Sequence, residues 1–163
     1  MKKDMPNALL RAASAAAQNA YAPYSRFAVG AASETADGSV FTGANMENVS
    51  YGLTVCAEIG ALQAASTAGR LRDVVRIAVV GGSIDDSNKR SGDIVTPCGR
   101  CRQLILECAH LGARDVEVWC ANSDLSSVEC FKISELLPHG FGPIALDRGV
   151  VPPKTAISAK QRR

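Results

Sequence analysis

The sequence predicts an α/β fold in which helices pack against one mixed β-sheet. Short apolar runs alternate with Ala- and Leu-rich stretches of helical period. After a first helix they follow the order strand pair, helix, strand, helix, strand, strand, which builds a sandwich rather than a bundle or a barrel. The run Val74–Val80 is unbroken, as in a strand covered on both faces, and it is bounded by charge on one side and Gly81-Gly82 on the other.

Residues 7–20 read as a helix, because Leu9, Leu10, Ala13, Ala16, Ala17 and Ala20 recur every three or four positions and Ala favours helix. Pro6 suits its first turn, and Ala22-Pro23-Tyr24 ends it. Phe27–Ser33 and Ser39–Gly43 read as strands joined at the hairpin signal Asp37-Gly38. Residues 44–54 form a loop rich in hydrogen-bonding side chains. A second helix spans Cys56–Ala68 and is closed by Gly69. Beyond Val74–Val80, residues 82–95 read as a long polar loop. A third helix runs Cys98–His110 with Gly112 at its end, followed by strands Val116–Cys120 and Val128–Ile133 and a helical turn at Ser134–Leu137. Residues 1–149 read as one domain, and 150–163, with Pro152-Pro153 and a basic end, as a loose tail.

Composition narrows the classes. A net charge of +2 over 163 residues gives no footprint for nucleic acid. No 18-residue apolar run is present, so no membrane span is expected. Met1-Lys2-Lys3-Asp4 is basic but has no apolar core before Pro6, so the chain reads as cytoplasmic rather than exported, and the sequon Asn48-Val49-Ser50 carries no weight. In that setting six cysteines point to metal binding or buried thiols rather than disulfides. Cys108, Cys120 and Cys130, in apolar company, read as core filler.

The other three carry chemistry. Cys98 and Cys101, in Pro97-Cys98-Gly99-Arg100-Cys101, share one helical turn and can grip one metal ion. Cys56 lies 42 residues earlier at the start of another helix. Glu58, two residues on, can reach a metal-bound water without ligating the ion. Three protein ligands with an open fourth position describe a catalytic zinc, one per chain. Both helix starts favour thiolates. Three thiolates leave the zinc site at formal charge −1, and Arg102, beside Cys101, is the first candidate to offset it. Taken alone, Glu58 also reads as a first-turn glutamate favoured by the helix dipole.

These residues sit within ordered blocks: Ala20-Tyr21-Ala22-Pro23-Tyr24-Ser25, Phe27 to Ala32, Gly43 to Asn48, Cys56-Ala57-Glu58, Pro97 to Gln103, and Glu135 to Pro138 with Phe141-Gly142-Pro143. With them, over roughly residues 15–146, the chain resembles the homotetrameric zinc-dependent cytidine deaminases. The resemblance implies a three-layer α/β/α sandwich around a five-stranded mixed sheet. It implies hydrolytic deamination of cytidine and 2′-deoxycytidine to uridine and 2′-deoxyuridine, by a zinc-activated hydroxide with Glu58 as proton shuttle and Cys56, Cys98 and Cys101 as ligands. It further implies Asn45 and Glu47 on the sugar, Phe27 beside the nucleoside, Ala57 offering backbone groups to the base, and Tyr51 and Phe141 completing a neighbouring subunit's site in a homotetramer. Plainer readings stay open: a solvated loop for Asn45 and Glu47, a core strand residue for Phe27, and local packing for Phe141.

The family usually has Arg after Cys-Ala-Glu; here Ile59 stands there, which puts the site's charge balance in question, and Arg100 is a candidate to compensate. The loop 83–96 looks longer than usual, and Ala28 replaces the family's Pro. A deaminase of another aminated nucleoside or nucleoside antibiotic is the near alternative. A structural zinc module is the non-enzyme alternative; it lacks a fourth ligand, since His110 and His139 lie outside any such motif. A redox pair at Cys98 and Cys101 leaves Cys56-Ala57-Glu58 unexplained.

Overall fold

The structure, a computed structural model, describes residues 5–85 and 93–143. In chain order these form α1 (Asn7–Ala17), β1 (Phe27–Thr35), β2 (Val40–Ala44), α2 (Ala57–Thr67), β3 (Val74–Ser83), α3 (Gly99–Gly112), β4 (Glu117–Asn122), β5 (Val128–Lys132) and the short α4 (Ile133–Leu136). The strands make one sheet in the order β2-β1-β3-β4-β5. β3 and β4 run parallel, joined by the α3 crossover, and every other neighbouring pair is antiparallel, so the sheet is mixed.

Alternation along the strands feeds two cores. Ala32, Ala78, Val80, Trp119 and Ala121 face Leu9, Leu10 and Ala13 of α1. Ile77, Val118 and Cys120 face the opposite way, onto Leu62 of α2 and Ile105 and Leu106 of α3. The result is the three-layer α/β/α sandwich that was expected. β3 explains its unbroken apolar run: it is the central strand and is covered on both faces. Full burial of side chains such as Leu10, Leu62, Ile77 and Ile105 contributes about 1.5–3 kcal/mol each.

Several element ends differ from the sequence reading. α1 stops at Ala17, because Gln18, Asn19 and Ala20 bond back three residues rather than four, tightening the last turn. β1 and β3 extend to Thr35 and Ser83 because they pair along their whole length. α3 runs past His110 to Gly112, the glycine expected at its end, and is capped by Ala113, whose backbone is left-handed (φ 50) and whose N–H bonds to the His110 carbonyl. Gly69 does close α2, at φ 73. Cys108 and Cys120 are buried as expected, but Cys130 is exposed: among the described residues β5 is an edge strand, paired with β4 alone. Part of the expected 83–96 loop and all of the tail 150–163 lie outside the described residues. Among those described, no helix is long and apolar enough to cross a membrane.

One close approach sets the position of α2. A side chain at Gly43 on β2 would place its Cβ 2.5 Å from the Ala57 carbonyl oxygen and from the Ala61 nitrogen. Only glycine lets the first turn of α2 lie against the sheet.

Candidate active site

Two helices begin side by side. Cys56 is the N-cap of α2 and Cys98 the N-cap of α3, both in extended backbone, with their carbonyls accepting from the N–H groups of Gly60 and Arg102. Cys101 lies in the first turn of α3 and is fully buried. The three Sγ atoms lie within 4.8 Å of one another, and Cys56 and Cys98 are 3.9 Å apart. Zinc–sulfur bonds of about 2.3 Å at tetrahedral angles separate sulfurs by about 3.8 Å. The donor set and its spacing therefore fit a zinc ion with one position left for another ligand. Neither histidine joins this group, and it is the metal-capable cluster found among the described residues.

The electrostatics differ between Cys56 and Cys101. The Cys56 thiol is drawn down to about 6, mainly by the thiol of Cys101 donating to it, with Cys98 and the positive charge of Arg100 adding to the effect. Cys101, buried and beside those partners, is pushed the other way. The partial positive charge of two helix N-termini falls on the same sulfurs. Glu58, in the first turn of α2, is only 4% exposed. Burial raises its pKa above the usual carboxylate range, and the Cys56 charge acts in the same direction. Ala57, between Cys56 and Glu58, is fully buried against β1 in a small cluster with Ala31 and Ala61.

Arg102 does not spend its donors on sulfur. Its Nε donates to the Pro97 carbonyl (2.7 Å), Nη1 to the Leu136 carbonyl (3.1 Å) and Nη2 to the Thr96 hydroxyl (3.4 Å). The guanidinium thus braces the turn that carries Cys98 against the end of α4. Arg100 is exposed and Ile59 half-buried.

The segment 45–47 is fixed from both sides. Met46 exchanges backbone hydrogen bonds with Val55, the residue before Cys56, and Tyr21 bonds to Asn45 and Glu47 on the other flank. The Asn45 side chain accepts from the Val29 N–H (2.9 Å) and donates to the Phe27 carbonyl (3.0 Å). The Glu47 carboxylate accepts from the N–H groups of Tyr24 (2.9 Å) and Ser25 (3.2 Å). The Ser25 hydroxyl and these N–H groups hold its pKa below the usual range. Both side chains are thus tied to backbone groups of residues 24–29. Phe27 is 39% exposed at the start of β1, which argues against a core role.

The Tyr51 ring meets that of Tyr24 edge-on at 5.8 Å, and both line an open cleft of about 280 Å³ with Ser25, Glu47 and Thr54. Tyr51 is nonetheless 74% exposed, and Phe141, whose carbonyl accepts from Gln103, is 60% exposed. Sequence reasoning had not given the Tyr24 and Ser25 amides or Gln103 a task. Turn amides have no side-chain signature, and Gln103 read only as the end of a block.

A family model described as the cytidine and deoxycytidylate deaminase zinc-binding region matches residues 3–117. A cytidine deaminase of Halalkalibacterium halodurans is 48% identical over 133 residues, covering 82% of this chain and 91% of that protein. One from Mycobacterium tuberculosis is 50% identical over 139 residues, covering 83% and 89%. Among solved structures, a cytidine deaminase from Burkholderia pseudomallei matches with TM-score 0.73 and 44% identity, covering 84% of this chain and 99% of that one. The matched region contains all three sulfurs and the buried carboxylate, and the chain therefore belongs to the zinc-binding cytidine and deoxycytidylate deaminase family.

Proposed function

We propose that the chain is a zinc-dependent cytidine deaminase that hydrolyses cytidine and 2′-deoxycytidine to the corresponding uridines and ammonia. The observation that carries this reading is the buried carboxyl of Glu58 beside three sulfurs gathered at two helix N-termini. A zinc ion held by Cys56, Cys98 and Cys101 supplies a Lewis acid that makes water a better nucleophile at neutral pH. Glu58 accepts a proton from the attacking water and delivers it to ring N3 as the oxygen joins C4. The same carboxyl then carries the second water proton to the exocyclic amine, which leaves as ammonia. Burial keeps the carboxyl's affinity for a proton high enough to pass it on, which suits a shuttle better than a permanent anion.

The remaining residues hold the substrate or its surroundings. Asn45 and Glu47 meet the sugar hydroxyls, each already held by backbone groups and so preorganised for contact. Phe27 offers its exposed ring to the nucleoside, and Ala57 backbone groups meet the base. Arg102 fixes the Cys98 turn. Tyr51 and Phe141 reach the sites of neighbouring subunits in a homotetramer; their exposure, with that of Met46 (54%), Val49 (79%) and Leu53 (64%) on the same loop as Tyr51, supports an apolar surface suited to a second copy. A site of three cysteine thiols suits the reducing cytoplasm.

Ultraviolet-monitored deamination of cytidine by the purified, zinc-loaded chain, with Glu58→Gln as control, tests the reading. Turnover that the substitution abolishes supports it. No turnover with zinc bound turns attention to another aminated nucleoside, with Ile59 the first position to examine.

A further inference from the structure

The segment after α4 is docked on α3 with unusual economy. His139 enters it with a left-handed backbone (φ 60), a conformation a non-glycine residue holds only when its surroundings impose it. Gly140 and Gly142 then lie against the helix. A Cβ at Gly140 would sit 2.4 Å from Leu106 Cδ2, and one at Gly142 would sit 2.3 Å from His110 Cε1. Between them, the Phe141 carbonyl accepts a 2.8 Å hydrogen bond from Nε2 of Gln103. Two glycines and a backbone carbonyl thus face α3 at residues 140–142. The one large side chain of the three residues, Phe141, is left 60% exposed.

We propose that Gln103 is a positioning residue that presents Phe141 to the nucleoside site of a second copy of this chain. Gln103 lies two residues after Cys101 on the same helix. One helix therefore carries two sulfurs of its own site and, on the next turn, the anchor of the aromatic ring offered to another. The anchor removes backbone freedom that Phe141 would otherwise lose on contact, so its absence weakens substrate binding rather than chemistry. The inference rests on the reading that Phe141 contributes to a neighbour's site.

The test compares wild type, Gln103→Met, Phe141→Ala and the double variant for cytidine KM, kcat, zinc content and assembly state. Methionine keeps the length and helix preference of glutamine but cannot donate. Gln103→Met is expected to raise KM about tenfold, the loss of one hydrogen bond's worth of order. kcat should stay within a factor of about two and zinc content be unchanged. Phe141→Ala should raise KM similarly, and adding Gln103→Met to it should change nothing more. If Phe141→Ala leaves KM unchanged, Phe141 serves no site and the proposal falls with that reading. If Phe141→Ala raises KM but Gln103→Met does not, Phe141 acts without the anchor and the proposal alone is overturned. An effect of Gln103→Met that persists undiminished without the Phe141 ring also overturns it, since it then reflects α3 itself.

Discussion

Replacing Gly43 by alanine tests whether the sheet holds the Glu58 carboxylate in place. The added Cβ would lie 2.5 Å from the Ala57 oxygen and the Ala61 nitrogen, where an ordinary contact needs 3.4 Å or more, so α2 must retreat by about 0.9 Å. The obstructing atoms are backbone, so no side-chain rotation relieves them. Overpacking of this kind costs about 1–3 kcal/mol, and each kcal/mol lowers Tm by about 2–4 °C in a domain of this size. The same retreat moves Cys56 and Glu58, the N-cap and first turn of α2, away from Cys98 and Cys101 on α3. A misplacement near 1 Å can cost about a hundredfold in rate. Gly43→Ala should therefore lower Tm measurably and reduce kcat/KM by about two orders of magnitude, with weaker zinc retention against a chelator. Thermal melts, zinc analysis and cytidine turnover measure the three effects. A variant that melts and turns over like wild type would refute the claim that this contact places α2.

Other perturbations probe separate parts of the molecule. A strong chelator should abolish turnover and lower Tm, and zinc should restore both; turnover that survives complete zinc removal would rule out the metal site as drawn. Asn45→Ala strips hydrogen bonds from the Val29 N–H and the Phe27 carbonyl, so it should cost about 2 kcal/mol in urea melts and raise KM more than it lowers kcat. Asp37 is held well below its ordinary value of 3.8 by the Thr35 hydroxyl first, then by Arg70 and Ser39. Its stabilisation is present above that value and fades as pH falls below it, so acid titration of the urea midpoint should flatten in Asp37→Asn. An unchanged slope would show that Asp37 is not the group responsible.

What the sequence revealed, and what it concealed, divides along a physical line. Val74–Val80 showed a doubly covered strand because burial on both faces leaves no polar alternation to find. Cys98 and Cys101 showed a chelate because two side chains three apart on a helix must neighbour each other. Cys56 has no such local logic, and only the ordered blocks joined it to the pair. The fate of Arg102 was hidden: adjacency to Cys101 pointed at the thiolates, whereas its fork geometry met the carbonyls of Pro97 and Leu136, groups every residue possesses and no sequence displays. The hold of Tyr24 and Ser25 on Glu47 was hidden for the same reason. Cys130 was misjudged because apolar neighbours in sequence do not reveal that a strand lies at an edge.

The position of the sulfurs in the chain has a consequence for how the protein matures. Cys56 and Cys98 are 42 residues apart, and the chain between them includes β3, the middle strand of the sheet. An ion bridging them closes a loop around the strand on which both halves of the sheet assemble. The folded arrangement binds the ion and the open chain does not, so the binding free energy adds to folding stability. Metal capture and docking of the middle strand are thereby thermodynamically linked, so each favours the other. Without zinc the chain should then be not an intact but idle enzyme, but a less stable fold that unfolds more often and is cut faster by protease.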